Sequence, residues 1–437
     1  TKRANNQVYR RVAKTVLALF FGTGQEVLFQ VLSAVVWIYA WGPDLYAEWL
    51  LVSLMPTLLM RGNTGLFHCA SSQLITNFAA EDWIAARRSY DTLRHGQQFF
   101  LLLIAVIYTS ACLVFAGGFN LNSLSSADIA AAMGLFLIQF ALFQQQQILL
   151  SVTKAAGHAP LAVMWQNLFR AAFIAPMLCG AFFAGPLVCL GMAMACQAVV
   201  VATSWQRLGQ FRRELPSEVI QPERHEVIAL VQRGLGFSAF GFGQTLLHNA
   251  AVWALGFVAG PLAGAAFHNM RTIARSVVLM AVALEQATRL ELSRLFAGGK
   301  ADAAERLLSR MLVVTTTAAG ITTLVVLLVG EWAFTIMTQN RLVFDAATFA
   351  CLCGAGFVFA VAFVYLAVSF ALNEHSRLSI RYACLVAFTI PLIVFAANNG
   401  AFALALAGAG ADVVFLALAR RQAQGVLRQR NEAAHVV

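Results

Sequence analysis

Five arginines fall inside stretches apolar enough to cross a bilayer: Arg61, Arg170, Arg271, Arg275 and Arg289. A guanidinium at mid-bilayer depth costs several kcal/mol unless it meets a wet cavity or a partner. The acids placed deep in the same stretches are Glu26 and Glu285. An interior with surplus positive charge suits a path for something anionic. Spacing separates the five. Glu285 and Arg289 are four apart, so on a helix they can neutralise each other. Arg275 is too far along the helix from Glu285 for a bridge, at about 15 Å by the usual rise. Arg271 and Arg275 stand one turn apart with the same sign, an unfavourable pair in apolar surroundings unless an anion joins it. Glu26, on the preceding stretch, can reach Arg61. The alternative for each arginine is a structural ion pair or a snorkelling side chain.

The polar neighbours of these residues keep helical spacing. Thr57, Arg61, Thr64, His68 and Ser71 or Ser72 recur every three or four positions, as do His268, Arg271 and Arg275, followed by Gln286, Arg289 and Ser293. Glu26, Gln30 and Ser33 mark a third stripe, and Gln244 and His248 a fourth. Lipid cannot satisfy such faces, so they must look inward and line a common cavity. His68, His248 and His268 can titrate near neutrality or serve as hydrogen-bonded intramembrane residues. Gln144, Gln145, Gln146 and Gln147 point all round their helix, toward sugar hydroxyls in a cleft or toward interhelical amide bonds. Trp37, Tyr39, Trp41, Tyr46 and Trp49 read as an interfacial aromatic belt.

The elements that carry these residues follow from composition. The 437 residues are 60% hydrophobic and only 11% charged, which excludes a soluble globule. Continuous apolar runs predict an all-α integral membrane protein with twelve spans, at roughly 12–41, 45–78, 86–117, 126–153, 160–184, 186–209, 228–259, 262–296, 303–330, 344–372, 376–397 and 400–421. No cleavable signal peptide is expected, because the first apolar run is too long and lacks a small-residue cleavage site. Lys and Arg collect in alternate connections, with Arg341 alone in the others, so both termini are expected in the cytoplasm. The net charge of +10 reflects this collar rather than nucleic-acid binding. All eight cysteines lie in apolar stretches without metal-ligand spacing and are expected as small core residues, with no metal site. P-loop, G-x-S-x-G and H-E-x-x-H patterns are missing, so neither an enzyme nor a cofactor is expected.

An internal repeat organises the chain. At a shift of about 218, Gly42-Pro43 falls on Gly260-Pro261, Ala85–Arg88 on Ala303–Arg306, and Lys154–Pro160 on Leu372–Leu378. Gly22–Gln25 falls similarly on Gly241–Gln244, giving G-x-G-Q twice. Six spans per copy, each copy starting inside, predict two six-helix bundles in parallel repeat. The expected division is an N-terminal lobe at 1–210, a cytoplasmic linker at 211–227 and a C-terminal lobe at 228–437.

The stretch Gly42-Pro43-Asp44-Leu45-Tyr46-Ala47-Glu48-Trp49 resembles the L-G-P-x-x-Y-G-x-W signature of polysaccharide (Wzx-type) flippases of the MOP exporter superfamily. Asn63-Thr64-Gly65-Leu66 stands where these proteins often show D-x-G-L, and the loop Ala80–Arg88 is also similar to theirs. Ala47 replaces the usual Gly, and Asn63 the usual Asp. The 6+6 repeat extends the likeness over the whole chain. The resemblance implies a flippase of the bacterial inner membrane. It would carry undecaprenyl-pyrophosphate-linked oligosaccharide to the outer leaflet, with a polysaccharide polymerase and other assembly proteins as partners. Lipid II flippases and MATE drug exporters share that fold. MATE proteins rely on intramembrane carboxylates for cation coupling, a role here open to Glu26 and Glu285, and a cation-coupled drug exporter is the alternative function. The implied substrate site is a cationic cavity of Arg61, Arg271, Arg275, His68, His268, Arg170 and Arg289.

Overall fold

The computed structural model describes the backbone of residues 2–118, 121–218, 221, 223–297, 301–372 and 375–435. Some side chains within the helices lie outside the described residues, those of Glu26, Arg61 and His68 among them. The first helices are α1 (Lys2–Ala79), α2 (Trp83–Gly118), α3 (Ser126–Ala155), α4 (Ala159–Cys179), α5 (Pro186–Arg212) and α6 (Arg224–Ala259). They are followed by α7 (Pro261–Ala274), α8 (Ser276–Ala297), α9 (Ala301–Thr338), α10 (Ala346–Ala371), α11 (His375–Ala397) and α12 (Ala401–His435). A 3-10 turn at Gly180–Phe182 follows α4, and no strand occurs among the described residues. Helix is the form that satisfies every backbone N–H and C=O without water.

Eight stretches among the described residues are long and apolar enough to cross a membrane, in α1, α3, α4, α5, α9, α10, α11 and α12. The protein is a multi-pass, all-helical membrane protein. The expected spans 86–117, 228–259 and 262–296, and the inner part of 45–78, include side chains outside the described residues.

The repeat is written in backbone geometry as well as in sequence. The first two expected spans run on as α1, interrupted only at Gly42 (φ 83°, ψ 165°). Gly260 breaks the chain between α6 and α7 in nearly the same conformation (φ 93°, ψ 162°). That region is open to glycine and costly for any residue with a Cβ. Pro43 and Pro261 follow, each at a first helical position where its missing N–H is harmless.

The chain divides into two compact units, Thr1–Ser238 and Ala239–Val437, with the division inside α6. In the first unit α3 packs on α1, α2, α4 and α5, around Tyr90, Leu93, Leu149, Leu150 and Leu208. The segment between α5 and α6 is tied down there. Arg87 Nε lies 2.7 Å from Asp91 Oδ2, Arg87 Nη1 donates to the Pro216 carbonyl at 3.0 Å, and Arg88 faces Glu226 at 3.5 Å. In the second unit α10 packs on α8, α9 and α12, around Leu292, Val364, Ala367, Val368 and Ala423.

Several sequence expectations change at the level of side chains. Most of the aromatic group is core rather than belt: Trp37, Tyr46 and Trp49 are buried, and only Tyr39 is largely exposed (69%). Trp37 Nε1 donates to the Met177 carbonyl at 2.9 Å, and Trp41 Nε1 to that of Ala184 at 3.0 Å. Pairing with carbonyls at the end of α4 lets these indoles enter the interior. Of the four consecutive glutamines only Gln145 is exposed. Gln146 Nε2 donates to the Trp165 carbonyl at 2.9 Å, an interhelical bond. Among the cysteines Cys189 and Cys353 are buried, while Cys179, Cys196 and Cys384 lie on exposed helix faces. Lipid-facing helix surfaces accept a small thiol as readily as a core does.

Candidate functional site

The second unit gathers four of the polar residues singled out by spacing. His268 and Arg271 stand one turn apart on α7, and Arg275 caps its C-terminus. The Arg271 guanidinium donates through Nη1 to the backbone carbonyl of His248 on α6. His248 and His268 both lie in the electrostatic field of Arg271 and Arg275, and the two arginines in each other's. Asn249 and Asn269, at 3% and 1% exposure, flank the cluster on the same two helices. His268 Nδ1 is shielded, with no hydrogen-bond partner among the described residues.

The expected helix 262–296 is not continuous. Arg275 falls in a turn between α7 and α8. Thr272 Oγ1 donates back to the His268 carbonyl at 2.9 Å, and Ser276 Oγ to that of Ile273 at 2.7 Å. Hydroxyls that bond preceding carbonyls in this way bend helices. The break lies beside Gly356 of α10, where an added Cβ would come within 3.4 Å of the Ala274 carbonyl oxygen. It sets Arg275 at an exposed position while Arg271 stays half-buried.

No carboxylate pairs with Arg271 among the described residues; its one polar partner there is a carbonyl. A neutral acceptor leaves the Arg271 charge without a counter-ion among the described residues, and Arg275 lies close by with the same sign. Such a fork-and-fork arrangement suits an oxyanion with several acceptor oxygens.

Arg289 and Glu285 form a separate feature on α8. Nε and Oε1 are 3.8 Å apart, Glu285 is buried, and the guanidinium also lies over the Phe370 ring at 5.8 Å. Arg170 lies half-buried on α4 of the first unit. The side chains of Arg61, His68 and Glu26, all on α1, lie outside the described residues.

Two acids emerge that spacing does not single out. Asp412 of α12 is buried (8%) inside an apolar span, a third intramembrane acid beside Glu26 and Glu285. A lone acid in so apolar a run gives no periodic signal. Glu48, within the Gly42–Trp49 stretch, is 3% exposed. Its carboxylate accepts from the backbone amides of Asn122, Ser123 and Leu124 at 2.8–3.0 Å. It fastens the connection that leads into α3, where Ser125 and Asp128 form a capping box.

No protein-family model and no curated protein sequence matches the chain. Solved structures do. A multidrug resistance MATE family transporter of the MOP superfamily, inward-facing, superposes with a TM-score of 0.71 at 12% identity over 96% of this chain and 99% of that one. An outward-facing structure of such a transporter gives 0.68 at 12% identity, covering 97% and 96%. A MOP superfamily transporter from Pyrococcus furiosus, described as having a binding pocket of reverse polarity, gives 0.62 at 12% identity over 96% of each chain. The protein has the fold of the MOP-superfamily transporters.

Proposed function

We propose that the protein is a flippase. It moves an undecaprenyl-pyrophosphate-linked oligosaccharide from the inner to the outer leaflet of the bacterial inner membrane, by alternating access, with both termini cytoplasmic. The observation that carries this reading is the Arg271–Arg275 pair, next to His248 and His268, with no carboxylate on Arg271 among the described residues. A pyrophosphate supplies the oxygens and the charge that Arg271 lacks among the described residues. The Gly42–Trp49 stretch supports the reading, and a polysaccharide polymerase and related assembly proteins are the partners it calls for.

A cation-coupled drug exporter is the second reading. It is favoured by the multidrug MATE structures among the similar folds and by the buried acid Asp412. The Pyrococcus protein's description concerns that protein, but it supports a fold that tolerates either sign of pocket charge. The deciding experiment reconstitutes the purified chain in liposomes with a fluorescent lipid-linked oligosaccharide and follows its appearance in the opposite leaflet. Flipping by the protein alone is expected, together with loss of a surface polysaccharide when the gene is deleted. Intact surface glycan with raised sensitivity to cationic drugs would instead establish the exporter.

A further inference from the structure

The outward side of α11 in the second unit is not uniformly apolar. The helix turns Leu378, Ser379, Tyr382 and Val386 into the core, each at most 3% exposed. Arg377, Ile380, Arg381, Cys384 and Phe388 lie on the opposite side, all exposed and at the spacing of one helix face. Ile380 is 61% exposed and Phe388 82%, and the stripe runs on through Leu392 and Phe395. The apolar span of this helix begins at Arg377, so both arginines stand at its edge. From Ile380 to Phe395 the stripe extends about 22 Å at the usual rise, more than the hydrocarbon depth of one leaflet, about 15 Å.

Arg377 and Arg381 are one turn apart, about 6 Å along the axis, and carry the same sign. α11 contains no acidic residue. On the neighbouring α12 the acids are Asp412, buried within the apolar span, and Glu432, whose side chain lies outside the described residues. Arg381 meets a neutral group instead: Nη1 donates to Gln422 Oε1 of α12 at 3.3 Å, which occupies one of its five N–H donors. Three residues on, the exposed Gly425 leaves the seam between the two helices open, and an added Cβ there would meet nothing within 4 Å.

α9 offers a contrast at the same end of the unit, where Ala304 and Leu308 share a core cluster with Ala423 and Leu427. Arg306 and Arg310 have the same four-residue spacing and are exposed, but Asp302 and Glu305 line their groove with them. The repeat offers another. At its shift Ala159–Gln166 of α4 stands where α11 begins, and that stretch holds no basic residue. The basic pair thus belongs to the second copy alone.

An arginine pair without a carboxylate, at the head of an apolar stripe as long as an acyl chain, matches an amphiphile with an anionic head. A free anion would engage the arginines and leave the stripe unused. An acidic protein segment would meet a face that is apolar from Cys384 onward. We infer that Arg377 and Arg381 bind the headgroup of an anionic phospholipid of the surrounding bilayer. Their planar forks pair with the phosphodiester oxygens, Gln422 holds Arg381 in position, and the acyl chains lie along Cys384, Phe388, Leu392 and Phe395. The site is on a different helix from the Arg271–Arg275 cluster and needs no transported substrate.

The test uses the purified full-length chain, delipidated in detergent and without substrate, so its outcome does not depend on the flippase reading. Phosphatidylglycerol, or phosphatidylcholine with the same acyl chains, is titrated in and the Tm followed. Phosphatidylglycerol is expected to raise the Tm saturably at concentrations where phosphatidylcholine does not, and to do so less well as salt is added. Arg377→Gln/Arg381→Gln should keep the wild-type Tm in phosphatidylcholine but need about thirtyfold more phosphatidylglycerol for half the rise. Arg306→Gln/Arg310→Gln, which removes the same charge from the same end, should titrate as the wild type does. Equal losses in the two double variants would assign the effect to overall charge and overturn the inference. A wild-type response that salt leaves unchanged would overturn it too, whether or not the variants fold. Water-soluble glycerol phosphate is expected to have no effect at the same concentrations; a rise equal to that from phosphatidylglycerol would mark a free-anion site and not a lipid site.

Discussion

Arg271 and Arg289 are both arginines in a membrane interior, and their different partners assign them opposite behaviour on truncation. Arg271 meets a backbone carbonyl and a like charge, so Arg271→Ala leaves no acid stranded. Substrate flipping should drop at least about tenfold, matching the loss of more than 1.4 kcal/mol expected for a charge-assisted hydrogen bond to the anion. Tm in detergent should hold or rise as like-charge repulsion is relieved. Arg275→Ala is expected to lower flipping likewise, and Arg→Lys at either position to keep partial activity, since an ammonium cannot form the paired bonds of a planar fork. Full activity in the double alanine variant would make these charges structural. Arg289 partners Glu285, which is 6% exposed while Arg289 itself is 39% exposed. Arg289→Ala strands that acid and should cost about 1–2 kcal/mol, below the full value for a buried pair because one partner is solvent-screened. Glu285→Gln in the same chain should recover most of it. Stability and flipping, measured side by side, separate the two kinds of arginine.

Among the elements, the junctions carry the information. Glu48 belongs to the second half of α1, and its carboxylate satisfies three consecutive amides ahead of α3. Glu48→Ala leaves those donors buried without an acceptor, at about 1–3 kcal/mol for each one that water cannot reach. A clear fall in Tm is expected, with Glu48→Gln intermediate because one oxygen remains. An unchanged Tm in Glu48→Ala would show that water replaces the carboxylate freely. The glycine–proline breaks at Gly42 and Gly260 were legible in advance, because a residue able to adopt positive φ next to one lacking an N–H leaves a mark in any sequence. The break at Arg275 was not. It depends on hydroxyls of Thr272 and Ser276 choosing preceding carbonyls, and those residues fit an unbroken helix equally well. Trp49 and Asp412 show the same limit: periodicity tells which face of a helix a residue shares, while burial depends on which neighbour covers that face. His268 and Arg271 share a face because both lie within α7, whereas Arg275 falls at the break after it.

At the scale of the whole molecule, the sign of the transported charge separates the two functional readings without knowledge of the bound glycan. A pyrophosphate carries about two negative charges through the membrane. An inside-negative potential drives each outward by about 2.3 kcal/mol per 100 mV, hence about 4.6 kcal/mol for the headgroup. No nucleotide site is needed for such transport. The measurement imposes a potassium diffusion potential of either sign across proteoliposomes containing oriented protein and a lipid-linked oligosaccharide, and compares initial rates of outward flipping. Flipping should accelerate when the side corresponding to the cytoplasm is negative and slow when it is positive. The Arg271→Ala/Arg275→Ala variant should show little of either, since the site that engages the charge is gone. Export of a cation is opposed by the same inside-negative potential unless enough inward-moving cations are exchanged for it. A rate that ignores the potential, or falls as the interior becomes more negative, is therefore evidence that the cationic cluster on α7 holds the helices together rather than carrying an anion.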